Sequence, residues 1–207
     1  LMPSGHSRID CSVRMVMKDK GYVDLLSSYG TLRITPLGAG LFRICFAGGQ
    51  CREFPKAAVA AAGNLKYTVR ENPSAVEIIA GDAQIRVDKK TGALTFLNGQ
   101  GKILLTERNR EPRQIGEGRV WNFFNWKKDE LLIAGGIGAP RPLKIGNSAV
   151  YFSYGREDDR YPGMVSSKGY EMSFPGGSRV LCCNIAMYGT YISMEETEVI
   201  DYYLRAK

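Results

Sequence analysis

Apolar and polar residues alternate with a period of two along much of the chain, far more often than at helical spacing. The stretches TLRIT (31–35), LFRICF (41–46), LKYTVR (65–70), AVEIIA (75–80) and AQIRVD (83–88) alternate or run apolar over strand lengths. Turn chemistry separates them: Gly38-Ala39-Gly40, Asn72-Pro73-Ser74 and Gly81-Asp82. The pattern is most explicit in AQIRVDKKTGALTFLNGQGKILLTE. There residues 89–92 should turn Ile85 and Val87 back onto Leu94 and Phe96. Residues 98–101 should turn the chain again into Ile103-Leu104-Leu105, which makes a three-strand meander. The one helix candidate is KAAVAAAG (56–63), short, alanine-rich and stopped by Gly63.

The texture changes over 111–146, a stretch dense in glycine, proline and aromatic residues with no clean period. Strand patterns return at SAVYFS (148–153), RVLCCNIAMYG (179–189) and EVIDYYLR (198–205). No internal repeat of solenoid length is present. A sheet with one wet face must bury the other against a second sheet. The pattern therefore predicts an all-β chain folded as a two-layer antiparallel β-sandwich with little helix. The expected organisation is a loose N-terminal segment over 1–20 followed by one sandwich over 21–207.

Composition narrows the partners. At 207 residues and 44% hydrophobic content the chain can build a sizeable core. The net charge of +7 would suit anionic partners, but the cations are scattered, and the longest basic runs are the pairs Lys89-Lys90 and Lys127-Lys128. Nucleic-acid binding clusters its cations on one helix or loop, so no nucleic-acid partner is expected. The five cysteines include no CxxC spacing, and neighbours Cys182-Cys183 fall on opposite faces of a strand. That favours a buried, reduced thiol for at least one of the two and a cytoplasmic setting over a disulfide framework, with a secreted or periplasmic setting left open. With His6 as the single histidine, zinc would depend on cysteine and carboxylate ligands alone, so neither a metal nor a cofactor is expected. No apolar run reaches the length of a membrane span, and LMPSGHSRID lacks the pattern of a signal peptide.

Three stretches carry candidate chemistry. Gly135-Gly136-Ile137-Gly138 lacks the lysine and the strand-to-helix setting of a phosphate cradle and reads as a tight loop. Trp121, Phe123, Phe124 and Trp126 are residue types that either stack on a sugar ring or fill a core. GREDDRYPG (155–163) sets Glu157, Asp158 and Asp159 between Arg156 and Arg160. Its carboxylates suit proton transfer or hydroxyl binding, and equally a solvated, self-neutralising cluster. No Ser/His/Asp or Cys/His set can be assembled around His6, which also counts against a histidine-dependent sugar epimerase.

Four stretches, in order, give the chain a resemblance. AQIRVDKKTGALTFLNGQGKILLTE resembles a strand, a Thr-Gly turn and a strand ending in G-x-x-L-L. DELLIAGGIG (129–138) is similar to E-x-x-Y-G-L-G, with Ile133-Ala134 where Tyr-Gly is usual. YPGMVSSKGYEM (161–172) resembles P-F-x-x-S-x-x-G-Y-G, with Glu171 in place of the last glycine. MYGTYISMEETEVIDYYLRAK resembles a closing strand pair whose D-Y-Y leads into a barrel. Together they resemble the N-terminal β-sandwich domain of glycoside hydrolase family 31, the α-glucosidase and α-xylosidase family.

The resemblance implies a galactose-mutarotase-like sandwich. MVSSKGYEMSF (164–174) would be a sandwich strand after a loop that approaches the active site, and IDYYLRAK the exit strand before a (β/α)8 barrel. The family works by double displacement with two barrel aspartates, which needs carboxyl groups about 5–5.5 Å apart. Neither barrel motif occurs here, so the resemblance implies a non-catalytic domain whose partners are its own catalytic barrel and an α-linked oligosaccharide or glycoside. Any homo-oligomer would form through the full-length enzyme. A family loop that offers a carboxylate to the sugar matches REDDRYP, which makes Asp159, then Asp158, the substrate-binding candidates, with Trp126 and Trp121 as aromatic candidates. Two other readings stand beside this one: a free-standing carbohydrate-binding module stacking sugar on Trp121 and Trp126, and a sandwich-fold aldose epimerase acting through carboxylates.

Overall fold

The computed structural model describes residues 9–38, 40–49, 54, 65–134, 143–152, 163–175 and 179–207. Among them every regular element is a strand, and every strand pairing is antiparallel. The largest sheet has nine strands. In spatial order they are β1 (Met15–Lys18), β2 (Val23–Leu26), β3 (Gly30–Gly38), β4 (Leu41–Gly48), β19 (Val199–Ala206), β16 (Tyr170–Ser173), β15 (Gly163–Ser166), β12 (Leu132–Ala134) and β13 (Leu143–Ile145). A five-stranded sheet is the meander β5 (Thr68–Glu71), β6 (Ala75–Ala80), β7 (Ala83–Asp88), β8 (Leu94–Asn98) and β9 (Ile103–Thr106). The third runs β10 (Arg113–Gly116), β11 (Arg119–Phe123), β18 (Gly189–Glu195), β17 (Val180–Ile185) and β14 (Ala149–Phe152).

The two smaller sheets join into one layer. An antiparallel bridge links Glu107 to Phe124, and Asn125 N donates to Thr106 O at 2.9 Å while Arg108 N donates to Phe123 O at 3.0 Å. The molecule is thus an all-β sandwich, its nine-stranded sheet facing this composite layer across one core. Alternation decides which side chains enter. On β4, Phe42, Ile44 and Phe46 point inward, and on β19 Ile200, Tyr202 and Leu204 do; both sets are buried in the same cluster as Ile78, Ile85, Phe96, Val120 and Ile192 from the facing layer. The intervening Arg43, Cys45, Asp201 and Tyr203 fall on the outer face of the large sheet.

The predicted meander has the expected register, with Ile85 opposite Phe96, Val87 opposite Leu94, and Phe96 opposite Leu105. Gly92 and Gly101 take the positive φ values of 73° and 77° that its two turns require. Cys182 and Cys183 are buried on opposite faces of β17, one in the main core and the other in the cluster of Trp121, Phe123, Leu181 and Tyr191. Cys11 and Cys45 are also free and buried.

Other expectations need adjusting. The stretch 111–146, without period, contains β10 to β13. β11 is buried on both faces and so shows no alternation. MVSSKGYEMSF is a hairpin, β15 and β16, and Gly169, at φ 97°, supplies the left-handed residue of its turn. β18 and β19 do not pair with each other, because the chain crosses between them from the composite layer to the large sheet. Near the start of the described residues, the side chains of Ile9 and Cys11 are buried in the core and β1 extends the large sheet. The helix candidate 56–63 and residues 1–8, with His6, lie outside the described residues, as does Cys51.

Candidate functional site

Of the four residues singled out from the sequence, the structure describes Trp121 and Trp126. Asp158 and Asp159 lie outside the described residues. Trp121, on β11, is 5% exposed and packs with Phe123, Leu181, Cys183 and Tyr191 on the face of the composite layer turned away from the main core. Trp126, half-buried, lies flat against Phe124, with ring centroids 5.8 Å apart and planes inclined by 19°, and packs on the main core. The two indoles therefore belong to different clusters and share no platform. Stacking a sugar on Trp121 would require its cluster to open.

Beside Trp126 the structure brings together two of the stretches that carried the resemblance. Glu130, just ahead of β12, accepts hydrogen bonds at 2.6 Å from Ser166 Oγ on β15 and from Tyr170 Oη on β16, both to Oε1. Its Oε2 accepts the Lys127 backbone N–H at 3.1 Å. Around this hub Leu131 N donates to Ser167 Oγ at 2.9 Å, Lys168 N donates to Ser166 Oγ at 3.0 Å, and Lys168 pairs with Asp129. Burial, then the Glu130 charge, push the Tyr170 phenol well above its ordinary value, so it remains a donor at any physiological pH. The sequence reading missed this hub. A serine and a tyrosine that lie 36 and 40 positions from their glutamate give no local signal. The hint available was that both stretches belonged to ordered motifs.

The outer face of the large sheet carries a second polar arrangement. Arg33 on β3 grips Asp24 on β2 through Nε at 2.8 Å and Nη2 at 2.9 Å, with its guanidinium 3.7 Å from the Tyr22 ring and 4.9 Å from that of Phe54. Arg43 grips Asp201 in the same two-pronged way, at 2.9 and 2.8 Å, and Cys45 Sγ donates to the same carboxylate at 3.2 Å. Glu171 takes Arg205 at 3.5 Å and Lys207 at 3.1 Å. Registry explains the ladder, since Asp24, Arg33, Cys45 and Asp201 stand on one rung across four strands.

A third group sits inside. Glu107 and Arg113 are each 1% exposed; Arg113 Nη1 donates to both Glu107 oxygens at 3.0 and 2.7 Å, and Nη2 donates to Gly92 O at 2.6 Å. Asn122 Nδ2 and Leu94 N complete the carboxylate's partners at 3.0 and 2.9 Å. Burial pushes the Glu107 carboxyl up, against the guanidinium and amide donors that pull it down. The group ties β8, β10, β11 and the turn after β7 together.

Chemically, the four buried acids among the described residues, Asp24, Glu107, Glu171 and Asp201, all face a guanidinium or ammonium partner. A carboxylate so committed is a poor general base but a good organiser of strands. No group of three or more His, Cys, Asp and Glu among the described residues converges as a metal ion would need.

No family model matches the sequence, and no curated protein matches it either. The fold does have counterparts. A GH31 (glycoside hydrolase family 31) α-xylosidase from a soil metagenome, complexed with xylose, matches at 19% identity and a TM-score of 0.75, over 94% of this chain and 32% of that one. A GH31 dextranase of Flavobacterium johnsoniae, complexed with glucose, matches at 19% identity and a TM-score of 0.77, over 95% of this chain and 26% of that one. The cycloalternan-forming enzyme of Listeria monocytogenes, in complex with a pentasaccharide substrate, matches at 15% identity and a TM-score of 0.73, over 94% and 20%. At these identities what is shared is the fold. The chain spans between 20% and 32% of the length of these proteins.

Proposed function

We propose that this chain is a non-catalytic β-sandwich domain of a retaining α-glycosidase, the N-terminal one, which packs on a catalytic barrel and lends it a loop that shapes the sugar site. The observation that carries the reading is the fold match. Nearly the whole chain superposes on a minor part of enzymes whose solved complexes hold xylose, glucose and a pentasaccharide. The meeting of Glu130 with Ser166 and Tyr170 supports it, because it joins two stretches read from sequence as motifs of that family. The commitment of the buried acids to cations agrees with a scaffold role. Asp159, then Asp158, are the carboxylates we assign to sugar hydroxyls, and Trp126 is the aromatic residue we place nearest the sugar.

The test compares this chain with a version extended through its reading frame, on aryl α-glucoside and aryl α-xyloside. Turnover is expected from the extended protein alone, and Asp159→Ala in that context should lower kcat/KM about ten- to a hundredfold, the loss of a charged hydrogen bond to substrate. Turnover by the short chain alone, or a reading frame with no barrel in it, would overturn the proposal.

A further inference from the structure

Three polar atoms in the middle of the core have no hydrogen-bond partner among the described residues: Arg113 Nε, Asn122 Oδ1 and Tyr202 Oη. Their residues are among the most deeply buried in the molecule, with Arg113 and Asn122 1% exposed and Tyr202 fully buried. Such atoms are rare in folded proteins, and each one left bare costs stability.

The fold places the three residues in one region of the core. Arg113 and Asn122 stand opposite each other on β10 and β11, and both hold the Glu107 carboxylate. Across the core, Tyr202 on β19 and Phe46 on β4 are diagonal neighbours, since Ile44 opposes Tyr202 and Phe46 opposes Ile200. The Arg113 guanidinium lies 4.9 Å from the Phe46 ring, and Phe124, which bridges to Glu107, has its ring centroid 6.3 Å from that of Tyr202. Glu107 and Arg113 both act on the Tyr202 phenol, which burial already holds far above its ordinary range and so keeps protonated.

We infer that Arg113 Nε, Asn122 Oδ1 and Tyr202 Oη bind an internal water molecule between the two layers. The hydrogen-bond balance fits. Water accepts from the Arg113 N–H, donates to the Asn122 carbonyl, and exchanges one further bond with the Tyr202 hydroxyl, which both donates and accepts. Three polar partners are the usual complement of a buried water. An apolar ligand would leave the same atoms bare, and an anion would meet Glu107.

Two measurements test this. A crystal structure of the 207-residue chain, or of the longer protein that carries it, should show density within hydrogen-bond distance of at least two of the three atoms. Tyr202→Phe should lower Tm by about 2–4 °C, because a bonded hydroxyl is lost and the water loses a partner. A hydroxyl with no partner gives the opposite sign, since removing it relieves a desolvation cost. Absence of density, or a Tm that stays constant or rises in Tyr202→Phe, overturns the inference.

Discussion

Arg113 Nη1 reaches both carboxylate oxygens of Glu107, at 3.0 and 2.7 Å, although the two residues are only six positions apart in the chain. Glu107 follows β9 and Arg113 opens β10, so the pair stitches the two five-stranded sheets where they fuse. Two charges in a dry interior gain little net stability as a pair, but either one alone is costly. Arg113→Met should therefore destabilise the chain by about 3–5 kcal/mol. The double variant Glu107→Leu with Arg113→Met should recover most of that loss. Urea unfolding of the three proteins checks this; a single variant within about 1 kcal/mol of wild type would mean the pair holds nothing together.

Gly92 is fixed for two reasons at once. Its φ is 73°, and a Cβ built there would stand 1.9 Å from the Cys11 carbonyl oxygen. Gly101 shares the first constraint, at φ 77°, but has open space around it. Gly101→Ala should cost about 1–2 kcal/mol, the strain of the left-handed conformation alone. Gly92→Ala should cost clearly more, because the N-terminal segment must also move away from the meander. The difference in Tm between the two variants measures the clash, and equal losses would show that Cys11 gives way freely.

The four described thiols are buried, and burial raises those of Cys11, Cys45 and Cys182 above their ordinary value near 9.0. The thiolate is the reactive form, so a brief pulse of iodoacetamide at pH 8 should leave Cys11, Cys45 and Cys182 unlabelled until denaturant is added. The sign of the pH effect follows. Stability contributed by these protonated thiols is complete below the ordinary thiol value and declines as the pH climbs from there toward the folded values. Mass spectrometry of the labelled peptides reads the outcome, and native labelling of Cys182 or Cys45 would contradict their burial.

Much of the fold was legible because many strands have one wet face. β7 alternates buried Ala83, Ile85 and Val87 with the partly exposed Gln84 and exposed Arg86 and Asp88, and such a strand announces both its type and its core face. β11 was invisible for the opposite reason, since Val120, Trp121, Asn122 and Phe123 are all buried. The ion pairs were harder still. Arg43 and Asp201 are 158 positions apart, and nothing local couples them. A signal was nonetheless present: each is a lone charge in an apolar run, LFRICF and VIDYYL, and a charge carried into a buried strand requires a partner. Glu130 gave no such sign, because it lies in a polar stretch beside Lys127, Lys128 and Asp129.

Glu130 allows a prediction that separates local from global effects. Its carboxylate is the point at which the 125–131 segment is pinned to the β15–β16 hairpin, through Ser166 and Tyr170. Lys127 and Lys128 within that segment are exposed and offer trypsin two sites, which the Glu130 carboxylate, accepting the Lys127 backbone N–H, helps to hold in a turn. Glu130→Ala should therefore speed tryptic cleavage after Lys127 and Lys128 more than it speeds cleavage elsewhere, since only the local opening becomes easier. Tyr170→Phe removes one of the two hydroxyl donors and should give a smaller change in the same peptide. In a double-mutant cycle the Glu130 and Tyr170 losses should fall short of additivity by about 0.5–3 kcal/mol, as contacting residues do. Cleavage rising uniformly at all lysines and arginines in Glu130→Ala would instead mean that the hub supports the whole sandwich, and strictly additive losses would mean that the phenol and the carboxylate do not act on each other.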